Sequence, residues 1–308
     1  MKNSSIKENS IMRKVKVITD SCADLNTEQL QKYGIDFAKM STSCDGVESV
    51  ASLTWTENEV HMHYNKMRDG KRIITAQVSA TEFTRIFEEY LKQDMDIVYI
   101  GCSSKQSGSV NTGYVAAKRL MAEYEGSTII CIDSLNASMG EGMLAIEAAK
   151  LAENGASAYE IEAHIIDIRK KVNQYVTVHS LDALKRAGRV KGSAAFFGNL
   201  MGVKPIIIAD ANGDQAAYKK VKGRQKSFEE IVALLKGSMT EPEKQVVYLT
   251  HADCAKEEID TLVALIKQEI PCIDVEIGYI GPIIGASIGP DAVGIWGFGQ
   301  QVTYKTGD

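Results

Sequence analysis

The sequence has no run of lysines and arginines: its 35 basic residues are outnumbered by 40 acidic ones, for a formal net charge of −5. Nucleic-acid binding draws most of its affinity from neutralised phosphates, so nucleic acid is not an expected partner. No apolar stretch approaches the ~20 residues needed to cross a bilayer, and the polar first thirteen residues lack the apolar core of a secretory signal. A soluble, cytoplasmic chain that does not span a membrane is expected. Six cysteines stand at positions 22, 44, 102, 131, 254 and 272, with no C-x-x-C pair among them. That spacing suggests neither a zinc site nor a redox pair, and it reads as small core hydrophobes of a reducing compartment. His61 and His63 are two apart on a helical pattern and point to different sides, so they do not share a metal. No carboxylate pair stands out as general acid and base.

What is present is an ordinary globular composition: 308 residues, 44% hydrophobic and 24% charged. A chain of this length buries a sizeable core without staples and divides more often than not into two domains. Residues 15–19 read as a short buried strand, 35–40 as the next, and Asn26 is placed to cap a helix between them. Thr56 with Glu59, and Ser79 with Glu82, have capping-box spacing. Behind the second pair Phe83, Ile86, Phe87 and Tyr90 recur at helical intervals. Strands at 97–101 and 128–133 alternate with a helix whose inward face is read as Tyr114, Ala117, Met121 and Tyr124. A further helix, apolar nearly all round, covers 143–152. This alternation implies a parallel sheet with helices on its faces.

The pattern changes near residue 173. Residues 203–208 and 215–221 read as strands joined by a short loop, a hairpin that brings in antiparallel pairing. Helices and a strand follow around residues 231–235, 246–250 and 259–266. The expected architecture is α/β in two domains: a loose N-terminus (1–13), a parallel-sheet α/β domain (14–172), and a C-terminal α/β domain with antiparallel strands (173–308).

The densest polar feature is the run from Ser103 through Ser104 and Ser107 to Ser109, between a strand and a helix. Backbone N–H groups and the helix dipole at such a junction attract an anion, although a plain Ser-rich cap accounts for the spacing equally well. The run lacks the Gly-x-x-x-x-Gly-Lys pattern of a nucleotide loop. Thr75–Ser79 is a second polar cluster, and Arg189, in an Arg-Ala-Gly-Arg turn, carries a planar fork suited to a carboxylate or to a cap. Asp20, Asp24 and Asp133 lie at strand ends, where function and capping are both served. Gly285-Ala286-Ser287-Ile288-Gly289 matches the elbow of serine hydrolases. Its flanks read as turn chemistry rather than a helix start, and all five histidines lie upstream, which excludes that enzyme's chain order.

Singly these signals are weak; their order is specific. Thr19-Asp20-Ser21-Cys22-Ala23-Asp24-Leu25 resembles the Thr-Asp-Ser-Ser-Ala-Asp-Leu opening of the DegV family, and Thr75–Ser79 its Thr-Ser-Gln-Pro-Ser. Residues 103–109 are similar to its Ser-Ser-x-x-Ser-Gly-Thr. Asp133-Ser134 with Gly140 and Gly142, residues 184–190, Lys204-Pro205-Ile206 and residues 281–294 follow in the family's order. The resemblance covers residues 15–300. It implies two α/β domains with a long-chain fatty acid such as palmitate buried between them, and no cofactor or catalysis. It also implies that Thr75 and Ser104 hold the carboxylate, with Ser103 and Ser107 close by and Arg189 in the family's Gly-Gly-Arg turn. Some members present their fatty acid to a separate fatty acid kinase. Where the family commonly has His before Thr-Gly-Pro-Gly, this chain has Ser287, a hydroxyl that cannot carry charge; this departure speaks against a kinase partner. The competing readings are a phosphotransferase or acyl-transfer enzyme, and a binder of another anionic amphiphile.

Overall fold

The alternating first half folds around a parallel sheet, as its pattern requires. The computed structural model describes residues 13–179, 181–192 and 202–306; of the expected loose segment 1–13 only Arg13 falls within them. β1 (Val15–Asp20) leads into α1 (Thr27–Lys32) and β2 (Asp36–Ala38). Asn26 and Gln29 close a reciprocal capping box at the start of α1. The chain then leaves the sheet and builds a small antiparallel one from β3 (Met40–Cys44), β4 (Val47–Ala51) and, after α2 (Glu57–Arg68), β5 (Ile73–Ala76). That sheet is a correction, because antiparallel pairing was expected only after residue 173. Val47 to Val50 are all exposed, so the strand has no buried face to show as alternation.

α3 (Ala80–Leu91), β6 (Asp96–Gly101), α4 (Ser109–Glu123), β7 (Ile129–Asp133), α5 (Met139–Glu153) and α6 (Ala158–Ile168) complete this half, with sheet order β2-β1-β6-β7. Thr56 and Glu59 form the expected box on α2. Ser79 accepts from the Glu82 amide, but the Glu82 carboxylate turns to Lys39 and Arg85 instead of closing the second box. α3 buries Phe83, Ile86 and Phe87 as its period dictates. α4 is rotated from its expected face: Gly113, Ala116, Ala117 and Leu120 are buried, while Tyr114 is 60% exposed. The Phe83 and Tyr99 rings lie against Gly113, so small residues, not aromatic ones, make that contact. α5 is buried on nearly every side, between the first sheet and the next.

The second half is one mixed sheet. β8 (Val172–Thr177), α7 (Asp182–Ala187), β9 (Val190–Lys191), β10 (Val203–Ala209), β11 (Gln215–Lys222), α8 (Arg224–Ser238), β12 (Val246–His251), α9 (Lys256–Glu269), β13 (Asp274–Tyr279), α10 (Pro282–Ile288) and β14 (Val293–Phe298) give the order β13-β12-β14-β8-β10-β11-β9. β10 and β11 form the expected hairpin. β14 went unread because it carries Gly294 and Gly297, residues that weaken a strand pattern. Gly294 is needed there: a Cβ would lie 2.1 Å from the Trp296 ring. Side chains of α2 help fasten the halves together. The Tyr64 hydroxyl donates to the Ile280 carbonyl (2.6 Å), and Arg68 donates to Asp253 (2.5 Å) and Asp291 (2.8 Å).

Candidate functional site

Because β1, β6 and β7 are parallel, the loops leaving their C-terminal ends share one edge of the sheet, where α/β proteins commonly place ligands. Asp20 organises that edge. It is fully buried and accepts from Tyr99 Oη (2.6 Å), the Cys22 amide (2.9 Å) and the Cys102 amide (3.2 Å), tying the β1 and β6 loops together. Asp133 accepts from the Ser104 and Leu135 amides (3.2 and 3.0 Å). Both aspartates thus bind loop groups.

Asp24 reaches across to the second half, accepting from the Gly281 amide (2.8 Å) and from Ser138 Oγ (2.5 Å). Burial pushes its carboxyl up from 3.8 to about 7. In the unfolded chain the same group ionises near its ordinary value. Between roughly pH 4 and pH 7 the folded protein therefore keeps a proton that the unfolded chain has released, and Asp24 makes stability fall as pH rises through that window, then level off. Asp24→Asn is expected to remove this component, flattening the urea midpoint between pH 4.5 and 8 relative to wild type. A variant retaining the full wild-type slope would show that Asp24 does not hold the proton.

On this edge lies a cleft of about 360 Å³, walled by both halves. The first half contributes Thr75 from β5, Gln77 from the following loop, and Gln106, Ser107 and Gly108 from the β6–α4 loop; the second contributes Arg189 and, from α10, Ile283, Ile284 and Ser287. The two polar motifs meet at Gly108, where a Cβ would lie 2.1 Å from Gln77 Oε1 and the glutamine side chain would have to turn aside. The Thr75 and Ser287 side chains make no hydrogen bond among the described residues, leaving both hydroxyls free for a ligand. Ser107 Oγ pairs with Ser109 Oγ at 2.9 Å and accepts from the Ser109 amide, at the start of α4. Arg189 follows the left-handed Gly188 (φ 64°) that ends α7, and one of its Nη atoms donates to the Ala187 carbonyl (2.5 Å).

The cleft continues inward. Gln106, Arg189, Ile284 and Ser287 also line a pocket of about 50 Å³, otherwise walled mainly by Val176, Ile207, Ile280, Ile288 and Trp296. Thr75, Arg189 and Ser287 border a third space of about 110 Å³ beside β5. The outer end of the system is thus lined with hydroxyls, amides and a guanidinium, and the inner end mostly with apolar side chains, with Ser138, Gln174 and Gln215 among them.

Four of the six residues expected at the site, Thr75, Ser107, Arg189 and Ser287, share this cleft. Ser103 and Ser104 do not line it. The Ser103 hydroxyl is buried and donates to the Gly213 carbonyl (2.7 Å), while Ser104 is exposed, its amide held by Asp133. The Ser-Ser pair opens a tight turn, in which the Gln106 and Ser107 amides both donate to the Ser103 carbonyl, and the turn brings Ser107 rather than Ser104 to the cleft. Gln106 was missed, as were the apolar Ile283 and Ile284, which no local signal separates from core residues.

The Gly285–Gly289 segment also needs correcting. It is helical: Pro282 opens α10 at a position where its missing N–H costs nothing. Gly285 is there for packing, since a Cβ would lie 2.4 Å from Tyr64 Oη, and Gly289 ends the helix at φ 84°. No histidine is among the residues lining the cleft.

Comparison with known proteins places these features in context. The sequence profile of the DegV family, described as uncharacterised proteins, matches residues 14–298. A DegV domain-containing protein of Clostridium perfringens is 33% identical over 289 residues, covering 94% of this chain and 99% of the relative. A DegV lipid-binding protein of Thermotoga maritima superposes with a TM-score of 0.82 at 26% identity, covering 94% of this chain and all of that one. A second Thermotoga maritima protein, whose structure is described as revealing a fatty acid binding function, has a TM-score of 0.81 at 25% identity over the same shares. Among the described residues no helix is long and apolar enough to cross a membrane.

Proposed function

Because this chain belongs to the DegV family, we propose that it binds a long-chain fatty acid and performs no chemistry on it. The acid lies between a unit ending near residue 172 and the unit that follows. Thr75 and Ser107 donate to the carboxylate, Arg189 offsets its charge, and Ser287 supplies a further hydroxyl. The observation that carries this reading is a polar cleft at Thr75 and Ser107 that shares Gln106, Arg189, Ile284 and Ser287 with a mostly apolar pocket reaching Ile207, Ile280 and Trp296. Two Thermotoga maritima proteins of the same fold, named for lipid and fatty acid binding, support it.

The energetics suit a carrier. Each buried methylene contributes roughly 0.8 kcal/mol, so the tail supplies most of the affinity and the head group needs only a few donors for orientation. The aliphatic pocket is smaller than the roughly 300 Å³ at which ligand sites begin. Uptake of the tail therefore includes a widening of that pocket, by rotation of Ile284 and Ile288 or a small parting of the halves. The six free cysteines suit the reducing cytoplasm we propose as its location.

The test is native mass spectrometry with organic extraction of the purified protein, followed by thermal unfolding with palmitate or oleate added to delipidated material. A co-purifying fatty acid and a raised midpoint are expected. Protein that emerges empty and shows no shift with either acid would refute the reading.

A further inference from the structure

Behind the cleft, three buried donors from distant parts of the chain converge. Cys22 follows β1, Cys102 follows β6, and Glu141 lies in the first turn of α5; their relative exposures are 2%, 1% and 0%. The two sulfurs and a Glu141 carboxylate oxygen all lie within 4.8 Å of one another. A centre therefore exists no more than about 2.8 Å from each (4.8 Å divided by √3). Metal–sulfur bonds of about 2.3 Å and metal–carboxylate bonds of roughly 2.1 Å need only sub-ångström side-chain shifts from there. Met40 adds a thioether, its Sδ 3.6 Å from Cys22 Sγ.

Glu141 carries an independent sign that something belongs at this point. Its Oε1 accepts from Thr19 Oγ1 (2.8 Å), whereas Oε2, fully buried, has no partner among the described residues. An unpaired carboxylate oxygen in the interior is costly and calls for an explanation, an ion being one. The sequence conceals the cluster because its ligands are 80 and 39 residues apart, with none of the spacing that marks local metal motifs.

We propose that Cys22, Cys102 and Glu141, with Met40 as an available fourth donor, bind one thiophilic d¹⁰ ion, Zn²⁺ or Cu⁺. Two sulfurs with a thioether select such ions over Mg²⁺ or Ca²⁺, which require oxygen cages. Cys22, Cys102 and Met40 also line the cleft, which gives the ion a path in and the displaced thiol protons a path out. Because those protons must leave, affinity rises with pH. The sulfur ligands share a cleft wall with the hydroxyls assigned to the fatty acid but are different residues, and with delipidated protein either assignment can fail without the other.

The test uses the full chain, delipidated and kept reduced with a phosphine under anaerobic conditions. It is incubated separately with Zn²⁺ and with Cu⁺, desalted, and its metal content measured by mass spectrometry; Co²⁺ serves as a spectroscopic probe. One ion per chain is expected with at least one of the two metals, together with a sulfur-to-cobalt charge-transfer band. Cys22→Ser combined with Cys102→Ser should abolish both. Glu141→Gln should weaken binding by at least the roughly 10–100-fold that loss of an outer-sphere partner costs. If neither metal is retained, if the cobalt band is missing from the wild-type chain, or if the double cysteine variant holds metal as well as wild type, the proposal is overturned. The wild-type cobalt spectrum decides the matter even where a variant fails to fold.

Discussion

Replacing Thr75 and Ser107 together by alanine is expected to weaken palmitate binding by about 100-fold or more, since a hydrogen bond to a charged group contributes roughly 1.5–3 kcal/mol. The carboxylate would then sit in a partly desolvated mouth with Arg189 as its remaining strong partner. Arg189 is exposed, so its attraction is screened and does not compensate. Ser104→Ala provides the contrast. Its side chain is exposed and does not line the cleft, so affinity should stay at the wild-type value. Titration of delipidated protein with a fluorescent fatty acid, displaced by palmitate, reads all three. If Ser104→Ala weakened binding and the double variant did not, the carboxylate would lie elsewhere on the β6–α4 loop than proposed.

Gly142→Ala is expected to destabilise the protein by about 2–3 kcal/mol through overpacking, although alanine is normally the better helix former by about 1 kcal/mol. The two effects oppose each other, and the surroundings decide which wins. A Cβ at position 142 would lie 2.5 Å from the Ala23 carbonyl oxygen and 2.9 Å from Leu25 Cδ2. The carbonyl is backbone, and its loop is anchored by Asp24 to Ser138 and Gly281, so it cannot step aside cheaply. Gly237 in α8 is the control: nothing lies within 4 Å of its would-be Cβ. Gly237→Ala should stabilise by up to about 1 kcal/mol, less so near a helix end. Urea unfolding monitored by circular dichroism should therefore move the two midpoints in opposite directions. A Gly142→Ala protein as stable as wild type would mean that α5 and the β1 loop are not in rigid contact.

Local devices were legible from the residues. The cap at Asn26, the box at Thr56, the hairpin from β10 to β11 and the α3 face all involve neighbours within a few positions, and so they appear as spacing. Errors came where a partner outside the window set the outcome. Glu82 had competing donors in Lys39 and Arg85. The inward face of α4 was set by the rings of Phe83 and Tyr99. Pro282 and the glycines around it read as a turn, yet Pro282 opens a helix and Gly285 serves the packing against Tyr64.

The order of its motifs was enough to assign this chain to a family, to fix its α/β class and to mark Thr75 and the serine run as candidates. Which serine faces the cleft was settled by the turn at Ser103, and the meeting of Cys22, Cys102 and Glu141 by the parallel packing of β1 and β6 beneath α5. The physical reason is range. Caps and amphipathic faces are encoded by residues one to four apart, whereas a cleft is made by side chains that only the closed fold brings within a few ångströms of each other.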